Sequence, residues 1–191
     1  MRDGGGADSR RSPAPKRDAG ATSDPKASNG WTLSRDAVRA RLSGRVALIV
    51  DGDAEAFGRM FVSLAAAECR AVLARRAAQA LQLAAQLRPT LVIFSTCMAD
   101  VSAADLFKQL RGAPGLAGAV MVALSDRESK RERKRLIEMG CDGYLWKPVD
   151  RFLFAMDLLQ RTPRLLNDSG RPPAEHQSIA ARDQGGPEAS S

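Results

Sequence analysis

The chain has a single histidine, His176, and it lies in a polar segment near the C-terminus. Chemistry that needs an imidazole base inside a core is therefore excluded, as is histidine phosphotransfer by any folded part. Cysteine is also scarce. Cys69, Cys97 and Cys141 are odd in number, far apart and without C-x-x-C spacing. That argues against a disulfide framework and a zinc site, and fits a reducing, cytoplasmic setting. Long apolar runs are missing too. The longest uncharged stretch, Gly112 to Ser125, is broken by glycine and proline and is too short to span a bilayer. The opening MRDGGGADSRRSPAPKRD has no apolar segment, so no secretory signal is expected. There is no P-loop, no G-x-G-x-x-G and no Ser–His pair, so an enzyme of the usual kinds is not expected.

The net charge is +7, and +4 of it belongs to residues 45–161, with 17 basic and 13 acidic side chains. That balance permits an acidic partner or nucleic acid without requiring either. Residues 1–30 are rich in Gly, Ser, Pro, Ala and charge. They cannot bury enough apolar surface to offset their ordering entropy, so a disordered tail is expected. Residues 162–191 return to the same composition and read as a second tail. Residues 31–44 differ. Ser34 can cap a short lead-in helix with Val38 and Leu42 on one face.

Between the tails, five short apolar runs alternate with helical patterns, the pattern of an α/β, doubly wound parallel sheet. The strands are expected near 45–51, 71–75, 91–95, 119–125 and 142–146, the second at an edge because Arg75 and Arg76 follow it. The first helix, about 54–68, places Phe57, Phe61 and Leu64 on one face, and the second, about 77–87, turns Leu81 and Ala85 inward. The third begins at Ser102. The fourth opens on a capping box, Ser129 with Glu132, and ends at Gly140. The fifth, about 150–161, is expected to bury Phe152, Met156 and Leu159.

The strand ends carry the chemistry. Val46–Val50 runs into Asp51, Leu91–Phe94 into Ser95, Val120–Leu124 into Ser125, and Tyr144–Trp146 into Lys147-Pro148. In such sheets ligands sit at the carboxyl ends of the strands, near the switch in strand order. An acid, a serine and a lysine at successive strand ends, in this order, resemble the receiver domain of two-component response regulators. The resemblance covers residues 45–161. Its most specific piece is GCDGYLWKPVD, which matches the family's Gly-x-x-x-Tyr-x-x-Lys-Pro pattern, and ALSDRESKRERKRLIEMG before it fits as well.

The resemblance implies a five-stranded, flavodoxin-like receiver fold. It also implies a pocket in which acidic groups and one backbone carbonyl hold Mg²⁺. There an aspartate accepts a phosphoryl group that a lysine and a hydroxyl stabilise. The physical logic is charge neutralisation and positioning. Two positions depart from that pattern. The family opens with two adjacent acids, whereas here VDGD places Asp51 first, Gly52 second and Asp53 one step beyond. Asp53 can take part only if the loop turns early, which Gly52 would permit. The acceptor position holds Ser95, a neutral hydroxyl, a poor Mg²⁺ ligand and a weak nucleophile without a base. With only Asp51 in place, Mg²⁺ is expected to bind weakly or not at all, and no other cofactor is implied.

Asp100 as a substitute acceptor and Ser95 as a kinase target are alternatives. So is Cys97, whose carbonyl would be the family's third metal ligand, as a redox thiol. Lys147 either serves a phosphoryl group or pairs with Asp51. Ser125 and Tyr144 occupy the positions that couple phosphorylation to the output face. That face is formed by the fourth helix, fifth strand and fifth helix of the series, and here it carries Lys130, Arg131, Arg133, Lys134, Arg135 and Trp146. Cations in the first helical turn oppose the helix dipole by about 0.3–1 kcal/mol each. They read either as a solvated face or as a docking surface.

The expected role is that of a stand-alone, atypical receiver acting by protein–protein interaction without conventional aspartate phosphorylation. Partners would be a histidine kinase, a phosphotransferase or a downstream regulator, or a second copy through the output face. No membrane is implied. A phosphorelay regulator with a non-standard acceptor is one alternative. A nucleic-acid-binding regulator using the basic helix is another, although no helix-turn-helix segment follows the domain.

Overall fold

The computed structural model describes residues 33–168. The two predicted tails lie outside the described residues, except for the first few residues of the second. The apolar runs form β1 (Val46–Val50), β2 (Arg70–Ala74), β3 (Leu91–Ser95), β4 (Val120–Ser125) and β5 (Gly143–Trp146). All pairings are parallel, in the order β2-β1-β3-β4-β5. Every residue of β3 and β4 is buried, because helices cover both faces of a parallel sheet. On one face Ile49, Ile93, Val122 and Leu145 meet α2 (Ala54–Ala66) and α6 (Phe154–Arg161). On the other, Leu48, Val92, Phe94 and Met121 meet α3 (Ala77–Leu87), α4 (Ala103–Gly112) and α5 (Lys130–Glu138). The period of two along each strand sorts the side chains to the two layers.

Before β1 lies α1 (Arg35–Leu42). Ser34 Oγ accepts the Ala37 N–H at 3.1 Å, and Val38 and Leu42 are buried. The basic helix, fourth of the alternating series, is therefore α5.

Three helices differ in phase from the sequence reading. In α2 the buried stripe is Ala56, Met60, Ser63 and Leu64, while Phe61 is 45% exposed. In α3 it is Ala77, Ala80 and Ala84, and Ala85 faces out. Before α6, Asp150 Oδ1 accepts the N–H groups of Phe152 and Leu153. That turn delays the helix to Phe154 and leaves Phe152 69% exposed. In each case apolar residues sit on more than one face, and contact with the sheet selects the phase.

The ordered chain also extends past residue 162, where a tail was expected. A short α7 (Pro163–Asn167) buries Leu165 fully, and Thr162 before it is equally buried. Asp168 pairs with Arg45 at 3.1 Å. Arg45 is 2% exposed, and its Nε–H donates to the Arg41 carbonyl at 2.7 Å. Gly143 makes this return possible, since a Cβ there would lie 2.5 Å from Thr162 Oγ1. A polar composition hides one buried leucine and one charge pair.

Candidate functional site at the carboxyl edge of the sheet

The parallel register brings the strand ends together. Val50 lies beside Phe94, Ser95 beside Leu124, and Ser125 beside Trp146. Asp51, Ser95, Ser125 and Lys147 therefore share one edge, where they divide into a charged cluster and a hydroxyl cluster.

The charged cluster centres on Lys147. Its Nζ lies 2.8 Å from Asp51 Oδ2, 3.2 Å from Asp126 Oδ1 and 3.6 Å from Asp53 Oδ2. Lys147 and Asp51 are nearly buried, whereas Asp53 and Asp126 are about half exposed. Asp51 Oδ2 has no hydrogen-bond partner other than this ammonium. Its Oδ1 accepts the Asp53 N–H at 3.0 Å, which is what turns the loop early. Gly52 plays no steric part, since its φ is not left-handed and a Cβ there would meet nothing within 4 Å.

Asp53 thereby becomes the N-cap of α2. Its Oδ1 accepts from Ala56 N at 3.1 Å and Glu55 N at 2.9 Å. The Ala56 hydrogen bond, aided by Lys147 and Glu55 against slight burial, holds its carboxyl below the usual range. For Lys147, burial works against the charge, but the hydrogen bond and charge of Asp51, with Asp126, push its pKa up. Three carboxylates therefore surround the lysine: Asp51, Asp53, which the early turn of the loop brings within reach, and Asp126. Asp126 was overlooked, although it follows Ser125 directly at the end of β4. An open cleft of about 310 Å³ lies above, lined among others by Asp53, Arg59, Asp126 and Lys147.

The carboxylates around Lys147 already have other partners. Asp53 Oδ1 is committed to capping α2, and a permanent cation already sits among the three carboxylates. Among the described residues no group of three or more His, Cys, Asp or Glu is arranged to hold a metal ion. Ser95 does not line the cleft. It is 2% exposed, and its Oγ accepts the Cys97 N–H at 3.3 Å. Asp100 Oδ2 accepts the Ala77 N–H at 3.2 Å, at the start of α3. Cys97 is exposed. Burial pushes the Cys69 and Cys141 thiols up to about 12 and about 11.

The hydroxyl cluster links the sheet edge to α5. Thr96 Oγ1 donates to Ser125 Oγ at 3.0 Å, and Ser125 Oγ donates to the Arg127 carbonyl at 2.9 Å. Glu132 Oε2 lies 3.4 Å from Ser125 Oγ and accepts the Tyr144 hydroxyl at 2.8 Å. The expected capping box is thus half made. Ser129 Oγ accepts the Glu132 N–H, but the Glu132 carboxylate turns inward to Tyr144. Tyr144 is 4% exposed, and burial, with Glu132 adding to it, pushes its phenol up to about 12. Neither Thr96 nor the inward role of Glu132 had a sequence signal beyond the adjacency of Thr96 to Ser95.

The exposed side of α5 carries Lys130, Arg131, Arg133, Lys134 and Arg135. Lys134 lies 3.7 Å from Glu138 one turn on. Trp146 packs edge-on to Tyr144, with Arg133 Cζ 5.9 Å and Arg161 Cζ 5.2 Å from its ring centroid. Among the described residues no helix is long and apolar enough to cross a membrane.

A search of curated proteins finds no match. Solved structures do resemble the chain. A response regulator from Desulfuromonas acetoxidans is 28% identical over 64% of this chain and 97% of that one, with a TM-score of 0.55. The chemotaxis response regulator CheY4 of Vibrio cholerae shares the fold at 19% identity, over 65% and 98% of the two chains, with a TM-score of 0.56. A Burkholderia pseudomallei response regulator, solved with a phosphorylated aspartic acid, a calcium ion and citrate, is 18% identical over 74% and 75%, TM-score 0.56. The family model of the response regulator receiver domain matches residues 47–155. Sheet order, strand-end chemistry and that match agree, and the chain belongs to the response regulator receiver domain family.

Proposed function

We propose that this receiver domain takes part in two-component signalling by protein–protein contact, without an aspartyl phosphate. The observation that carries this reading is the buried neutral Ser95 at the acceptor position. The cation that would meet a phosphoryl group, Lys147, is already neutralised by Asp51, Asp126 and Asp53. Mg²⁺ binding is weak on this reading, because an incoming ion must displace the ammonium from its carboxylates. The switch residues support the same conclusion. Tyr144 is held inward by Glu132 with no phosphoryl group required, so the output face stands in one form. Partners are signalling proteins of the same system, a kinase, phosphotransferase or downstream regulator, and the domain itself is not an enzyme.

The test is intact-mass analysis after incubation with acetyl phosphate and Mg²⁺. The native protein is run beside Ser95→Asp and the double variant Gly52→Asp/Ser95→Asp. The Gly52 position has open space for a side chain, so the double variant rebuilds the missing acids at little steric cost. No mass gain is expected in the native protein, and a phosphoryl gain in the double variant. Labelling of the native protein on Asp51, Asp53 or Asp126 would overturn the proposal.

A further inference from the structure

A second cleft, of about 260 Å³, opens between the start of α4 and α5. Arg131 and Arg135 line it, one turn apart on α5. Arg133, two residues from each, turns instead to Trp146 on the other side of the helix. Arg131 and Arg135 are exposed, and neither meets a carboxylate among the described residues. The one acid among the lining residues, Glu132, directs its carboxylate inward to the Tyr144 hydroxyl. The positive charge of the cleft therefore rests on two guanidiniums rather than on the helix starts, which Ser102 and Ser129 cap. Ser129 Oγ accepts the Glu132 N–H, and its own proton has no acceptor among the described residues. Ala103, Ala104 and Leu136 add an apolar wall.

We infer that the cleft between α4 and α5 binds a small phosphate monoester. Such a group carries a charge of about −1.5 to −2 at pH 7 and three strong acceptor oxygens. Two guanidinium forks match that charge and those oxygens, and the Ser129 hydroxyl is free to donate as well. A lone carboxylate, with one charge and two oxygens, would leave one guanidinium unmatched. The apolar wall takes the organic body of the ester. The cleft is smaller than the roughly 300 Å³ at which drug-sized pockets begin, so it admits one small ester and no polymer. A nucleic-acid backbone also needs a continuous cationic track, whereas Lys134 pairs with Glu138 and Arg133 lies over Trp146. The same helix carries Glu132, which holds Tyr144, so occupancy of the cleft acts on the switch. In that respect the inference rests on the proposed function: the ester is the input of a receiver that carries no aspartyl phosphate.

The experiment is calorimetric titration of the full chain without Mg²⁺. The probes are ribose 5-phosphate, phosphoserine and AMP, compared with adenosine, inorganic phosphate and single-stranded oligo(dT). At least one ester is expected to bind saturably, with a Kd below about 1 mM and more tightly than inorganic phosphate, while adenosine does not bind. Arg131→Gln/Arg135→Gln should weaken that binding about tenfold or more, and an unchanged thermal midpoint verifies that the variant is folded. Lys130→Gln/Lys134→Gln removes the same charge from side chains that do not line the cleft, and solvent screening should hold the affinity within about twofold. In the full chain with Trp31→Phe, emission reports Trp146 alone. Trp146 packs edge-on to Tyr144, so its emission should follow ester occupancy. The inference is overturned by an absence of ester binding below about 1 mM, by equal losses in the two double variants, or by inorganic phosphate binding more tightly than every ester. Tighter, salt-steep binding of oligo(dT) overturns it too, and constant emission at saturation overturns the role of the ester as an input. Acetyl phosphate is absent and neither arginine enters the labelling assay, so failure here and failure of the proposed function are read separately.

Discussion

Glu132→Ala removes the carboxylate that receives the Tyr144 hydroxyl at 2.8 Å and lies 3.4 Å from Ser125 Oγ. A hydrogen bond to a charged acceptor contributes about 1.5–3 kcal/mol, and a buried hydroxyl left without one adds a desolvation cost. A net loss of about 2 kcal/mol is expected, a fall in Tm of about 4–8 °C for a domain of this size. Tyr144→Phe alone should cost less, because it removes the donor and leaves a partly exposed carboxylate that water can reach. In the double variant the coupling energy should be about 1–2 kcal/mol, read from urea denaturation.

A second readout is specific to this contact. The chain has one tyrosine, so tyrosinate absorbance titrates Tyr144 alone. The folded midpoint should lie near 12, above the ordinary value of 10. Glu132→Ala should lower it only in part, because burial is the larger cause. A phenol whose folded pKa is raised adds stability that is fully present below 10 and is lost as pH rises through about 12. A coupling energy of zero, or a folded midpoint at 10, refutes the claim that Glu132 holds the switch.

Two other perturbations test the site and its support. Lys147→Met strands the nearly buried Asp51 charge and should cost about 3–5 kcal/mol, with Asp51→Asn in the same chain restoring part of it, both measured as urea midpoints. The Lys147 contribution, from a raised pKa, should be present below its ordinary 10.5 and disappear as pH rises through the folded value. That of Asp53, from a lowered one, should be present above 3.8 and disappear as pH falls through its own. Gly143→Ala places a Cβ 2.5 Å from Thr162 Oγ1 and 3.1 Å from the Arg161 carbonyl. It should cost about 1–3 kcal/mol, and adding Thr162→Ala should recover only part of that in the same assay, because the carbonyl stays.

The sequence alone determined the layers and the location of the site. Runs such as Leu91–Phe94 and Val120–Leu124 are too short for buried helices and too apolar for a one-sided sheet, so a parallel sheet covered on both faces follows from local pattern. The residue closing each run then falls at one edge, which is why Asp51, Ser95, Ser125 and Lys147 were legible. Helix phase was not, as Phe152 illustrates: its exposure depends on Asp150 capping a turn and on which residues the sheet accepts. Nor was the partner of each polar side chain. Asp126, Asp53 and Asp51 are far apart or differently placed in the chain, and only the packing of β1, β4 and β5 brings them around one ammonium. Glu132 carries an ordinary capping signature, yet its carboxylate turns to Tyr144. A buried hydroxyl needs an acceptor, and which one it receives is decided across the fold rather than along the chain.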